Sequence, residues 1–466
     1  MELFMDNIIH DNSTKRRINI LKILNNKEGF VSTHFLANQL GCSSRTILND
    51  IIQLKSEIPP NWGLLAIKSK GYMLKKPASE NFDSIVQVYL KDSVLYHLLL
   101  GIFNGKYFTI EKWSQLLYIN KITLKNLIKK FNNFIANCGL KLRVKSQTLK
   151  LVGNEINIRY FYIAFFYLIL KYNEEIPLFS IVKEGMNKII QYHEVKINPN
   201  LLLSILMVSI KRNFLYKFIK EKIENTIFLD DDQINCFEEI VSLIEEYYKI
   251  KFQLTEKSLI KLYFFLASNN TFTQKNALFN EITKNNMTYN TLLDHIKEKN
   301  NLSSPMVNKL TMEIGIDFYK LNIMKKLNFP IQYFENTIEL VSNTYYQLYR
   351  KNYACIYSWN KKYRKLTNRF ELQYVTALIS MFLYTNPEKI NILLLFSGTI
   401  LEENLIFLKL KQNLKENIII HRDFNPTIQY DLIVTNKQVL DVDIPIIYIF
   451  QNGSEKEIDF IKSKVM

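Results

Sequence analysis

The 466-residue chain is 48% hydrophobic and holds only 12 Gly and 10 Pro, which provides for several packed domains and excludes a disordered protein. Its formal net charge is +16, and residues 1–155 carry +11 of it, from 22 Lys+Arg against 11 Asp+Glu. Positive charge gathered in the first third is the footprint expected of a DNA-binding surface, beyond what solubility requires.

The opening stretch MELFMDNIIHDNSTKRR is mixed polar and charged and has no signal-peptide pattern. Lys15-Arg16-Arg17 opens a predicted helix with apolar positions Ile18, Leu21, Ile23 and Leu24, which Gly29 ends. Ser32 or Thr33 then caps a short helix, THFLANQLG, and Gly41 permits a sharp turn. Ser43 or Ser44 caps a third helix, SSRTILNDIIQLKSEI, whose inward positions are Ile47, Ile51, Leu54 and Ile58. Ser44, Arg45, Asn49 and Gln53 are left outside, residue types suited to guanine and adenine edges. Pro59-Pro60 stops the helix, and strands over 64–67 and 72–74, joined through Lys68-Ser69-Lys70-Gly71, form a wing. Lys55, Lys68 and Lys70, with Lys75 and Lys76, are expected to hold phosphates.

Residues 108–151 repeat residues 31–74 at a spacing of 77. Ser32 matches Thr109, Leu40 matches Leu117 and Thr46 matches Thr123; Ile47, Ile51, Leu54 and Ile58 match Leu124, Ile128, Phe131 and Ile135. The second copy puts Trp113-Ser114 in place of Leu36-Ala37 and Tyr118 in place of the turn glycine. Its third helix exposes Lys121, Lys125, Asn126, Lys129 and Lys130, and its wing adds Arg143 and Lys145, a surface for backbone attraction more than for base reading. Each copy reads as a winged helix-turn-helix.

From residue 156 to about 385 the pattern is helical, with breaks at Ile176-Pro177, Asn198-Pro199, Ser304-Pro305 and Phe329-Pro330. The run YFYIAFFYLIL over 160–170 is too short for the roughly 20 residues of a membrane span and reads as a core helix. LLLSILMVSIKRNFLYKFIKEKI and FEEIVSLIEEYYKI carry apolar stripes at helical spacing, and Asp230-Asp231-Asp232 reads as a helix-entry turn. Beyond 386, KINILLLFSG, ENIIIHRD, YDLIVTN and IPIIYIFQN are short strands around the helix TILEENLIFLKLKQNL, with the charged helix SEKEIDFIKSKV last. They indicate a small open α/β sheet, its strands buried on both faces and its site at Phe396-Ser397-Gly398-Thr399. Cys42, Cys138, Cys236 and Cys355 are scattered without a CxxC pair, as in a reduced cytoplasmic protein without a zinc site.

The order of two winged helices, two helical bundles and an α/β tail resembles the Mga/AtxA-like virulence transcriptional regulators of Gram-positive bacteria. That resemblance implies a multidomain, mainly α fold. It comprises winged helix-turn-helix domains at 1–78 and 79–155, all-α regulation-domain (PRD-like) bundles at 156–275 and 276–385, and an enzyme IIB-like α/β domain at 386–466. It implies a non-enzymatic activator of virulence or carbohydrate-utilisation genes, needing no cofactor and modulated through the phosphotransferase system. The implied partners are double-stranded promoter DNA, a second copy of the chain as homodimer, phosphotransferase proteins such as HPr, and RNA polymerase, with no membrane. His193 and His295, the latter within Leu292-Leu293-Asp294-His295-Ile296, are the implied phosphorylation positions, against the plainer reading of ordinary structural histidines. Phe396 stands where a working enzyme IIB carries its cysteine, so the tail is expected to dock rather than transfer phosphate. An RNA-binding antiterminator and a phosphocarrier are the competing functions.

Overall fold

The computed structural model describes residues 2–80, 82–172, 180–219, 221, 223, 227, 229–269, 275, 287–333, 337–366, 368–387, 389–415, 417–439, 442–450 and 453–465. They fall into two compact units. The first comprises Met1–Asn290, Met312–Thr344 and Lys365–Tyr374; the second comprises Thr291–Thr311, Tyr345–Arg364 and Val375–Met466. The chain is mainly helical, with helix-turn-helix modules at its N-terminal end.

The first unit opens with α1 (Glu2–Ile8), a helix that the mixed character of the opening stretch does not reveal. Phe4, Met5 and Ile8 are buried, and the Phe4 ring meets Phe134, Phe161 and Tyr333 at centroid distances of 5.6, 5.4 and 5.0 Å. Ser93 Oγ donates to the Ile8 carbonyl at 2.6 Å. The next helix, α2 (Asn12–Asn26), starts before Lys15, because Asp11 Oδ2 accepts from the Thr14 N–H at 2.7 Å and caps it there.

After α2 come α3 (Thr33–Leu40), α4 (Ser44–Glu57), β1 (Gly63–Ile67) and β2 (Gly71–Lys75). The second copy follows the spacer helices α5 (Asp83–Lys91) and α6 (Val94–Phe103) as α7 (Ile110–Leu116), α8 (Lys121–Ile135), β3 (Lys141–Lys145) and β4 (Thr148–Val152). The 77-residue spacing reaches individual bonds. Ser32 and Thr109 cap α3 and α7; Ser43 and Asn120 cap α4 and α8; Gly41 and Tyr118 both turn through positive φ, at 62° and 51°. The Tyr72 N–H donates to the Val31 carbonyl at 2.9 Å, and Leu149 to Phe108 at 2.8 Å. Thus Tyr118 accepts a left-handed conformation that glycine takes without penalty. Trp113 fits because Gly101 leaves room: a Cβ there would lie 2.4 Å from the indole.

Beyond the copies lie α9 (Glu155–Tyr172), α10 (Ser180–Tyr192), α11 (Pro199–Phe214), α12 (Asp231–Tyr248) and α13 (Leu254–Ala267). Residues 160–170 of α9 are almost wholly buried, as a helix apolar on all sides must be. No single helix among the described residues is long and apolar enough to cross a membrane. Asn198 caps α11 with Pro199 in its first turn, and Asp230 with Gln233 forms a capping box on α12. The expected break at Ile176-Pro177 lies outside the described residues.

α11 ends at Phe214, well before the end of the apolar stripe in the sequence. Tyr216 turns through φ 53°, and two buried charges capture the chain beyond it. Arg159 donates to the Lys217 carbonyl at 2.8 Å, and Glu256 accepts from the Ile219 N–H at 2.9 Å. Arg159 and Glu256 are both fully buried and pair with each other, while Glu155 binds Arg212 through both carboxylate oxygens.

The remaining helices are α14 (Met287–Asn300), α15 (Ser304–Lys326), α16 (Ile338–Thr344), α17 (Tyr346–Tyr363) and α18 (Arg369–Thr385). Within the first unit, the Asn157 amide of α9 donates to the carbonyls of Cys138 at 3.0 Å and Leu327 at 2.9 Å, tying the turn after α8 to the end of α15. Within the second unit, Trp359 of α17 is fully buried and donates to Thr291 Oγ1 at 3.2 Å.

The tail alternates β5 (Ile390–Leu395), α19 (Ile400–Asn413), β6 (Ile418–His421), β7 (Leu432–Thr435), β8 (Ile446–Tyr448) and α20 (Glu455–Val465). Its four strands are parallel in the order β6-β5-β7-β8. Ile392, Leu394 and Val434 pack against Ile406, Leu410, Ile458 and Ile461 of the two helices, while Leu393 and Ile433 meet Tyr430 on the other face. Burial on both faces holds for β5 and β7; the edge strands β6 and β8 are only half-buried.

Candidate nucleic-acid interface

In the first copy, Ser43 Oγ accepts from the Thr46 N–H at 3.1 Å and fixes where α4 starts. Ile47, Asp50, Ile51 and Leu54 face inward. The sequence pattern leaves Asp50 unassigned, yet it is 3% exposed and accepts from Arg16 Nε and Nη2. Arg17 is likewise drawn in: it donates to Gln53 Oε1 at 2.7 Å and lies 2.9 Å from Glu57. These two arginines therefore hold α2 on α4 and do not belong to the outer basic surface. Lys76 is also committed, to the carbonyls of Pro77 and Glu80.

Ser44, Arg45, Asn49, Gln53 and Lys55 are all exposed on α4, as are Lys68 and Lys70 on the wing. Gln53 differs from the others, because its carbonyl oxygen accepts from Arg17 and only its two amide N–H groups are left for an outside partner. Two members of the outer face escape a search for polar residues: Leu48 is 43% exposed and Ile52 68%. Each directly follows an inward isoleucine, and that step of about 100° round the helix carries it past the edge of the buried stripe. That adjacency is the signal that could have found them. Apolar side chains on a groove-facing helix suit thymine methyl groups.

The second copy exposes Lys121, Lys125, Asn126, Lys129 and Lys130 on α8, and Arg143 and Lys145 on β3. Lys121 is paired with Glu111, whose carboxyl is held down to about 2 by that hydrogen bond, so its charge is largely answered within the protein. Ile122 is 68% exposed on the same face. Leu124, Leu127, Ile128, Phe131 and Ile135 form the inward stripe. The wing is anchored to the helix by Asn132, whose amide donates to the Leu142 carbonyl at 2.9 Å and accepts from its N–H at 2.7 Å.

The two histidines lie apart from these faces in the sequence and in their contacts. His193 follows α10, and its Nε2 is 3.0 Å from Glu239 Oε1 on α12. A phosphoryl group on that nitrogen would have to displace the carboxylate and meet its negative charge. His295, on α14, is half-buried with Nε2 2.8 Å from Ser358 Oγ. Phe396 directly follows β5 and packs on the tail core, and the turn after it is closed by Asn436, which accepts from the Ser397 N–H and donates to its carbonyl, both at 2.7 Å. Residues 386–466 contain no cysteine.

Comparison with known proteins agrees with this geometry. Residues 16–73 match a helix-turn-helix (HTH) domain model and residues 79–166 the Mga helix-turn-helix domain. The chain is 24% identical to the anthrax toxin expression trans-acting positive regulator of Bacillus anthracis, over 96% of this chain and 97% of that protein. It is 29% identical to the capsule synthesis positive regulator AcpB of the same organism, over 36% of this chain and 35% of AcpB. A shorter similarity, 23% over 30% of this chain and 24% of the other, links it to a probable licABCH operon regulator of Bacillus subtilis. The chain thus carries an HTH domain followed by an Mga helix-turn-helix domain, and it is a relative of the Mga-like positive regulators of virulence.

Proposed function

We propose that the chain is a sequence-specific DNA-binding transcription activator. The observation that carries this reading is the tandem of winged helix-turn-helix copies, each offering an exposed, capped third helix and a basic wing. Arg45, Leu48, Asn49 and Ile52 of the first copy read bases, with Ser44 and Gln53 at the margins and Lys55, Lys68 and Lys70 on phosphates. Lys125, Lys129 and Lys130 of the second copy supply backbone attraction, with Asn126, Arg143 and Lys145 beside them and Lys121 contributing least.

The finer reading follows the family resemblance. Residues 1–78 and 79–155 are the two DNA-binding domains, 156–275 and 276–385 are PRD-like bundles, and 386–466 is an enzyme IIB-like docking module in which Phe396 precludes phosphoryl transfer. The controlled genes are of the virulence or carbohydrate-utilisation kind, RNA polymerase is recruited, and HPr-type proteins act through His193 or His295. Self-association rests on α19, where Leu401, Leu405 and Leu408 are 81%, 45% and 51% exposed at helical spacing. A two-fold dimer would present four recognition helices to one promoter.

The test is fluorescence anisotropy of the purified full chain with a promoter duplex and with hairpin RNA of equal charge. Duplex binding that survives excess random DNA supports the reading. Preference for the hairpin replaces it with RNA antitermination. Sedimentation of the full chain at micromolar concentration tests the dimer, and a monomer there removes that part.

A further inference from the structure

Within the first unit, α9, α11, α13 and α15 line a partly open cavity of about 220 Å³ that DNA binding leaves without a role. Ile163, Ile205, Leu321 and Met324 form part of its apolar lining. Its polar end is Lys320, an α15 residue only 9% exposed. The Lys320 ammonium donates to the Ser268 carbonyl and faces the Phe265 ring at 5.2 Å, and it forms no ion pair with a carboxylate among the described residues. Asp317, one turn earlier on α15, also lines the cavity. Burial pushes the Asp317 carboxyl above the usual carboxylate range and the Lys320 ammonium down to about 8, as expected where neither charge is well solvated.

A buried cation whose main partner is one carbonyl is under-compensated, and a single negative charge delivered to it would be strengthened by the dry surroundings. Lys275 acts on both groups from nearby but is itself paired with Glu313. A cationic ligand would meet the Lys320 ammonium. A ligand with several negative charges would bring the further ones against Asp317, with Lys320 the one cation in the lining among the described residues. We propose that this cavity binds a small monocarboxylate with a short apolar tail, its carboxylate on Lys320 and its tail between α11 and α15. The site is distinct from the DNA-binding faces and makes the regulator responsive to an organic acid.

The experiment is titration calorimetry of the full chain with hexanoate and with hexanamide, which has the same shape and no charge. Saturable binding of one hexanoate per chain, at least tenfold tighter than hexanamide, is expected. Lys320→Met should abolish that preference, and Met324→Trp, which fills the tail end, should abolish binding. Equal binding of acid and amide, absence of saturable hexanoate binding, or an unaltered titration in both variants overturns the proposal. The comparison of acid with amide on the unmodified chain holds even if a variant fails to fold.

Discussion

The two copies share caps, turns and wing contacts 77 residues apart, yet their outward rows differ at nearly every place. Arg45, Leu48, Asn49 and Ile52 in α4 stand where Ile122, Lys125, Asn126 and Lys129 stand in α8; only the asparagine is kept. Apolar and basic residues have changed places while the caps, turns and wing contacts are kept. The inner sides diverge too. Asp50, clasped by Arg16, corresponds to Leu127, so one copy is held by buried charge and the other by packing. The comparison teaches that backbone geometry and surface chemistry vary independently in this fold.

The sharpest break of that equivalence is at the wing. Gly71 corresponds by spacing to Thr148, but the hairpins differ: Ile67 pairs with Gly71 across a three-residue loop, whereas Lys145 pairs with Thr148 across Ser146-Gln147, both at positive φ. Gly71 has φ 108°, and a Cβ there would lie 2.0 Å from the Val31 carbonyl oxygen. Gly71→Thr should therefore cost about 3 kcal/mol or more and unfold the first wing, seen as lost amide protection over 63–75. Unchanged protection would mean that the two hairpins are interchangeable.

Asp50→Ala should destabilise the first copy by roughly 3 kcal/mol in denaturant unfolding, the low end for breaking a buried pair because Arg16 is partly solvated. Equal destabilisation of both copies by hydrogen exchange would contradict the contrast between charge and packing.

Arg45→Ala should cost about 1–3 kcal/mol on a specific duplex and little on random DNA; an equal loss on both would show that Arg45 only grips phosphate. Changing Lys125, Lys129 and Lys130 to Ala together should reduce the log–log salt slope by roughly 0.9 per lost phosphate contact. If the slope stays the same and specificity falls instead, the roles of the two copies are reversed.

The smallest effect concerns pH. Burial holds the His10 imidazole below its ordinary 6.5, and Lys130 pushes the same way against Asp11. Below about 6.5 the unfolded chain takes up a proton that the folded one resists, so stability declines as pH falls through that value and below. His10→Gln should flatten that part of a melting-temperature profile; an identical slope would exclude His10 as its source.

Features written by near neighbours were legible in the sequence. Ser32 and Ser43 cap helices within three residues of themselves, and the strand runs of the tail stand out as apolar segments between polar turns. What was hidden depends on distant partners. Phe4 gives no hint of a helix without Phe134 and Tyr333, Asp50 looks like a surface residue without Arg16, and α11 stops where Arg159 and Glu256 take hold of the next segment. On the outer face of α4, Arg45 and Asn49 are legible as exposed from their polarity, whereas Leu48 and Ile52 are not, since exposure of an apolar residue shows only after the helix has been packed.

The seat of α1 has a consequence in time. Phe4 closes on Phe134, Phe161 and Tyr333, so its pocket is incomplete until the chain has been made through the last of them. At about 5–20 residues per second, synthesis reaches Tyr333 roughly 15–65 s after Phe4. Throughout that interval the first copy can fold from local pieces, while the apolar side of α1 stays open to water. Ribosome-bound chains arrested before residue 333 should accordingly hold a formed first copy and a protease-accessible α1.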